Sequence, residues 1–158
     1  MNYKVRNHVK CMKVLFVCSG NAHRSPLAEA LLKKMRPDLQ VDSAGLRVAI
    51  PISEHVRDYL SKEDAEQYLK KAPENLTSKQ PSDYDLIVAM QQGHKDAVLN
   101  RCPECEDKIA VWNIEDPYFM SHEDAEKIYR QIEEKIKQLA ESLWTRTARS
   151  KNFNTITK

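Results

Sequence analysis

The amino-acid sequence predicts an α/β fold: a single domain built on a four-stranded parallel sheet with helices on both faces. Three observations carry this. Short apolar, β-branched runs alternate with helical patterns along the chain, the arrangement that gives a parallel sheet covered by crossover helices. A length of 158 residues with 41% hydrophobic content suits one core. The first apolar run, Val14-Leu15-Phe16-Val17, delivers the chain into a short polar loop that turns straight into a helix.

Taken in order, the first strand is expected over residues 13–17. The first helix follows at 26–35, with Ser25 as its N-cap and Pro26 at the first helical position, where a missing N–H is tolerated. The second strand covers 39–43, and a helix from about residue 53 runs through the sixties with a break. The third strand, 86–90, leads into a helix at 92–100, and the fourth strand covers 109–112. The last helix, 122–146, has the clearest signature: Ser121 and Asp124 form a capping pair, and Ala125, Ile128, Ile132, Ile136, Leu139 and Leu143 trace one face. Only three glycines occur, Gly20, Gly45 and Gly93, each beyond a strand, and Gly20 is expected to supply the backbone freedom of a tight loop. Residues 1–11 read as an extension, 12–149 as the domain and 150–158 as a polar tail without order.

Composition narrows the function classes. A net charge of +2, with acids and bases interspersed, gives no support to an extended nucleic-acid surface. No apolar run is long enough to span a membrane, and residues 1–10 lack the apolar core of a signal peptide. The expectation is a monomeric cytoplasmic protein. Its four cysteines and five histidines show no zinc-ligand spacing, so neither metal nor cofactor is expected.

The polar loop is the informative segment. In Cys18-Ser19-Gly20-Asn21-Ala22-His23-Arg24-Ser25-Pro26, a thiol and a guanidinium are separated by five residues between a strand and a helix. Successive backbone N–H groups in such a loop converge on an anion, the helix adds its positive end, and an arginine grips two phosphoryl oxygens at once. The same field stabilises a thiolate, lowering a cysteine pKa from about 8.5 to roughly 3.5–7.5. The loop is therefore a phosphate-binding loop with a nucleophile at its base.

Together with Val41-Asp42-Ser43-Ala44-Gly45, Asp85-Leu86-Ile87-Val88-Ala89-Met90 and Asp116-Pro117-Tyr118, this motif resembles the low-molecular-weight protein tyrosine phosphatases and their relatives, the thioredoxin-coupled arsenate reductases. The resemblance runs from Met12 to about Arg146. It implies hydrolysis of a phosphotyrosine protein or a small aryl phosphate through a cysteinyl-phosphate. Cys18 would be the nucleophile, Ser19, Gly20, Asn21, Ala22, His23, Arg24 and Ser25 the phosphate cradle, and Asp116 the general acid, its backbone held extended by Pro117. Ser25 would bond the sulfur, and Asn21, in a left-handed conformation, would tie the loop to Ser43. Tyr118 and Phe119 would wall the cleft opposite residues 46–50.

The chain also departs from the family pattern. His23 stands where many members carry a second cysteine, and its imidazolium could face the sulfur or its ring could pack away from it. Residues 72–79 lack the histidine and arginine that often support the loop. Cys102 and Cys105 raise an alternative, an arsenate reductase relaying oxidation from Cys18, although a local disulfide or two reduced thiols is the simpler reading. A third possibility is an idle anion-binding module; the joint presence of Cys18, Arg24, Ser25 and Asp116 speaks against it.

Overall fold

The structure, a computed structural model, describes residues 11–153, with side chains as far as residue 143. Strands β1 (Lys13–Cys18), β2 (Gln40–Gly45), β3 (Leu86–Ala89) and β4 (Ile109–Val111) form one sheet in the order β2-β1-β3-β4, with every pairing parallel. The helices are α1 (Arg24–Met35), α2 (Glu54–Lys62), α3 (Gln92–Arg101) and α4 (His122–Phe153). Among the described residues, no helix is long and apolar enough to cross a membrane.

The central strand β1 is apolar on both faces because each face is covered. Val14, Phe16 and Cys18 pack with Val88 and Met90 against Leu27 and Leu31 of α1, Val56 and Leu60 of α2, and Ile132 and Ile136 of α4. Leu15, Val17, Ala44 and Ile87 point the other way, against Val98 of α3 and the sulfurs of Cys102 and Cys105. Those two cysteines are joined as a local disulfide within the turn that follows α3. The predicted apolar face of α4 is buried at Ala125, Ile128, Ile132, Ile136 and Leu143, and the Asp124 N–H donates to Ser121 Oγ at 3.2 Å.

β1 and β3 are neighbours, and the connection from β1 runs to β2 on one side while that from β3 runs to β4 on the other, so the chain leaves their carboxyl ends in opposite directions. The crevice at such a switch point is where open α/β sheets bind ligands. Everything catalytic in the sequence reading falls at this end.

Several local expectations are corrected. α1 begins at Arg24 with His23 in the cap position and no side-chain cap, so Ser25 lies inside the first turn and Pro26 is third. Ser25 does not cap because its hydroxyl is committed to Cys18 and Asn21. The helix after residue 53 ends at Lys62, where Asp64 adopts φ 54°, and short 3-10 turns occupy Glu66–Tyr68, Leu76–Ser78 and Pro81–Asp83. α4 continues past Arg146 to Phe153, so residues 150–153 are helical, whereas residues 1–10 and 154–158 lie outside the described residues.

The glycine expectation also moves. No glycine has positive φ; the left-handed residue of the loop is Asn21, at φ 53°. The glycine that matters most for packing is Gly45, the last residue of β2. A Cβ there would sit 2.7 Å from Asn21 N and from Gly20 C, and 3.0 Å from Ser19 O, so the loop backbone rests directly on β2. Gly45→Ala should lower the unfolding free energy by about 1–3 kcal/mol, the usual cost of forcing atoms into a packed site. Gly93→Ala, in the first turn of α3 with open space around it, should be neutral or stabilising by up to about 1 kcal/mol. Urea denaturation of both variants checks the contrast, and equal effects would mean the contact at Gly45 is relieved by relaxation.

Candidate active site

A cavity of about 490 Å³ opens at the carboxyl end of β1, within the range of small-ligand sites. It is lined by Cys18, Ser19, Gly20, Ala22, His23 and Arg24 from the loop and first turn, by residues 46, 47, 49 and 50 beyond β2, and by Asp116 and Tyr118. Cys18 is 2% exposed. Its sulfur lies 2.8 Å from Ser25 Oγ and receives the Asn21 backbone N–H at 3.3 Å. Ser25 Oγ also accepts from Asn21 Nδ2 at 2.8 Å, and its own proton is within reach of the sulfur.

Arg24 is 1% exposed, and its guanidinium is held from three directions. Nη1 donates to Gln91 Oε1 and to the Ile114 carbonyl, both at 2.8 Å, and Nη2 donates to Ser19 Oγ at 3.2 Å. These acceptors are uncharged. Asp116 supplies the nearby carboxylate, 3.5 Å from Nη2, and its side chain is 46% exposed. A buried cation held by three neutral acceptors, with N–H donors to spare and only a loose partner for its charge, attracts an anion entering the cavity. Asp116 Oδ1 also accepts the Tyr118 N–H at 3.1 Å, an Asx-type contact that fixes the carboxylate relative to the following ring.

Of the two orientations left open for His23, the ring packs edge-on against Tyr118, with centroids 6.0 Å apart. Burial holds its pKa below the ordinary 6.5, with Asp116 opposing and Arg24 adding to the effect. The imidazole is therefore neutral at pH 7 and adds no positive charge beside the sulfur. Tyr118 lines the cavity at 51% exposure. Phe119 does not line it, standing 95% exposed with its ring edge-on to Tyr118 at 4.6 Å.

Asn21 lies at the centre of the supporting structure. Its Nδ2 donates to Ser25 Oγ and to Ser43 Oγ, at 2.8 and 2.9 Å, and its Oδ1 accepts the Glu74 N–H at 2.9 Å. Ser43 in turn donates to the buried Glu29 carboxylate at 3.1 Å. Burial raises the Glu29 pKa, with Lys33 and Lys70 pulling it back. Lys70 Nζ donates to the Ser43 carbonyl at 2.9 Å and pairs with Glu74 at 2.9 Å. Lys70 and the Glu74 backbone thus brace the loop in a chain whose residues 72–79 lack the expected histidine and arginine.

The sequence reading missed Glu29, Lys70, Glu74, Gln91 and His94. Gln91 and His94 follow β3 at its carboxyl end, and that position was the signal that could have found them. The Gln91 N–H donates to His94 Nδ1 at 3.0 Å, which puts the ring proton on Nε2, 2.9 Å from Ser19 Oγ. Ser19 Oγ accepts from both His94 and Arg24, and its own proton is left for a ligand. Among the described residues no three His, Cys, Asp or Glu side chains group to hold a metal ion.

Burial, with Arg24 adding to it and Asp116 opposing, takes His94 down to about 4. The unfolded chain takes up this proton near pH 6.5, so the stabilising effect of a neutral His94 is complete above that pH and is lost as pH falls from 6.5 towards 4. Urea unfolding at pH 7.5 and pH 5 should show this loss in the parent protein and a smaller loss in His94→Gln. An unchanged pH dependence would remove His94 from the account.

A family model described as low molecular weight phosphotyrosine protein phosphatase matches residues 13–149. The low molecular weight protein-tyrosine-phosphatase Wzb of Salmonella typhi is 33% identical over 145 residues, covering 83% of this chain and 93% of Wzb. The protein-arginine-phosphatase of Geobacillus stearothermophilus is also 33% identical, over 146 residues, covering 84% of this chain and 97% of that protein. Among solved structures, Vibrio vulnificus Wzb in complex with benzylphosphonate superposes with a TM-score of 0.75 at 30% identity, covering 83% of this chain and 98% of the other. The YwlE arginine phosphatase from Geobacillus stearothermophilus gives 0.78 at 31% identity, covering 87% and 96%. With a cysteine-based phosphate loop, a single parallel sheet and a family match across nearly the whole domain, the chain belongs to the low molecular weight phosphotyrosine protein phosphatase family and is a phosphatase with a cysteine nucleophile.

Proposed function

We propose that the protein hydrolyses phosphotyrosine in proteins, and small aryl phosphates, through a phosphorylated Cys18. The observation that carries this reading is the joint placement, in one cavity, of a sulfur under two hydrogen-bond donors, a buried guanidinium, a half-exposed carboxylate and the Tyr118 ring. The Cys18 thiolate attacks phosphorus in line, forming the S–P bond as the aryl P–O bond breaks. Arg24 and the loop amides hold the equatorial oxygens, and Asp116 gives its proton to the departing phenolate oxygen. In the second step water forms the new P–O bond, its proton passes to Asp116, and the Cys18 thiolate leaves, supported by the Ser25 hydroxyl.

The tyrosine assignment is supported by Tyr118, whose ring can stack on a phenyl group. A phosphoarginine reading is kept beside it because the arginine phosphatase relative is as similar as the tyrosine phosphatases. The arsenate-reductase alternative is disfavoured: Cys102 and Cys105 are bonded to each other in the core on the far face of the sheet from Cys18. A thiol nucleophile that must stay reduced supports a cytoplasmic location, and the complete set of cavity groups supports action as a monomer.

Phosphate release from phosphotyrosine and phosphoarginine peptides, in reductant, tests the proposal. Cys18→Ser should abolish turnover of every substrate. Asp116→Ala should slow phosphotyrosine by roughly 10²–10⁴-fold and p-nitrophenyl phosphate, whose leaving group needs less protonation, by much less. Equal losses on both substrates would exclude Asp116 as the acid, and turnover confined to phosphoarginine, or thioredoxin-dependent arsenate reduction, would replace the tyrosine reading.

A further inference from the structure

The mechanism leaves one charged group of the cavity unused. Arg47 lines the opening, is exposed, and makes no ion pair among the described residues. Its root is fixed although its side chain is free. The Arg47 N–H donates to the Ser19 carbonyl at 2.8 Å, and the preceding Leu46 N–H donates to the Cys18 carbonyl at 3.2 Å. Asn75 Nδ2 braces the Leu46 carbonyl from outside at 3.3 Å. Two backbone bonds to the residues that carry the nucleophile hold this arginine at a set offset from the reacting phosphorus, whatever its side chain does.

The surroundings give that charge a meaning. The remaining rim is apolar, formed by Leu46, Ala49, Ile50 and Tyr118, with Val48 and Phe119 exposed beside it. His23 is neutral, and Asp116 faces Arg24. The charge of a bound phosphate is met inside the cavity by Arg24 and the loop, so the entering phosphoryl group does not require Arg47. A guanidinium held beside the mouth of a phosphate site, without a partner of its own, is available to a second acidic group on the same substrate.

We propose that Arg47 is a specificity-determining residue that pairs with an Asp or Glu side chain flanking the phosphorylated residue, so that the preferred substrates are acidic phosphopeptides. The inference rests on the phosphotyrosine reading above for its choice of peptide. It adds what the catalytic groups do not specify, the sequence around the phosphorylated residue. An exposed pair of this kind contributes modestly, and more at low ionic strength.

The experiment compares kcat/KM for three substrates: a phosphotyrosine peptide with Asp and Glu flanks, the same peptide with Gln and Ser flanks, and p-nitrophenyl phosphate. Parent, Arg47→Gln and Arg47→Glu proteins are used, with inorganic phosphate inhibition measured on each. The parent should favour the acidic peptide by about two- to fivefold, through KM and declining as salt is raised. Arg47→Gln should erase that ratio, and Arg47→Glu should invert it. Turnover of p-nitrophenyl phosphate and inhibition by phosphate should stay within about twofold of the parent, as expected for a group screened by solvent from the phosphoryl site. An acidic-to-neutral ratio unchanged in Arg47→Gln would overturn the proposal, as would a parallel loss on p-nitrophenyl phosphate, which would place Arg47 on the phosphoryl group itself. If the parent cleaves only phosphoarginine peptides, the tyrosine reading fails alone, and the same flank comparison on those peptides decides the role of Arg47.

Discussion

The architecture of this site depends on one side chain, the amide of Asn21. It joins three separate parts of the chain in the space of a single residue: Ser25 in α1, Ser43 in β2 and the Glu74 backbone in the segment that runs beside the end of β2. Asn21 itself sits at φ 53°, a conformation that costs an L-residue energy unless its surroundings hold it there. The three hydrogen bonds supply that restraint. In that conformation the Asn21 backbone N–H points at the sulfur, and the Ser25 hydroxyl is turned so that its proton is available to Cys18. Nucleophile geometry is therefore a consequence of how the loop is tied to its neighbours. A glycine at position 45 is needed because β2 must approach this loop closely enough for Ser43 to reach the amide.

A second constraint is electrostatic. Burying a guanidinium is costly unless its N–H groups find acceptors, and Gln91, Ile114 and Ser19 take three of the five without adding negative charge. The field of Arg24 is consequently preserved for the cavity. Below the loop the charge pattern is different: Glu29 pairs with Lys33, and Glu74 with both Lys70 and Lys79. Those charges stabilise position and largely cancel as a field. The molecule thus separates a region where charge is balanced, which fixes geometry, from one where charge is left open, which draws the substrate.

Much of this was legible in the sequence because local and global requirements coincide at the first loop. Cys18, Arg24 and Ser25 are close in sequence as well as in space, and the strand and helix around them follow from apolar patterning. The left-handed Asn21 and its bond to Ser43 came from the family resemblance and are what the structure contains. What sequence reading misplaced were details set by tertiary competition. Ser25 has the chemistry of an N-cap, but a buried sulfur and an amide hold its hydroxyl more tightly than the helix end does. Lys70 and Glu74 were not singled out, because nothing local tells that their segment runs beside the end of edge strand β2. The disulfide between Cys102 and Cys105 was one of two open readings, and only the placement of both sulfurs in the far core separates them from Cys18.

The same physics explains why chemistry is easier to read than substrate choice in this protein. Each group at the base of the cavity is buried and bound by several partners, so a change at any one disturbs the others, and the residue types are narrowly determined. The rim is built differently. Arg47 and Tyr118 are exposed, and Phe119 stands nearly free in solvent, so packing places few demands on their identity. Arg47 nevertheless keeps its backbone bonded to Ser19, which makes its position as definite as that of the catalytic loop while leaving its side chain open to variation. A family built in this way can hold one reaction constant and alter its substrates by changing residues whose roots are fixed and whose tips are free.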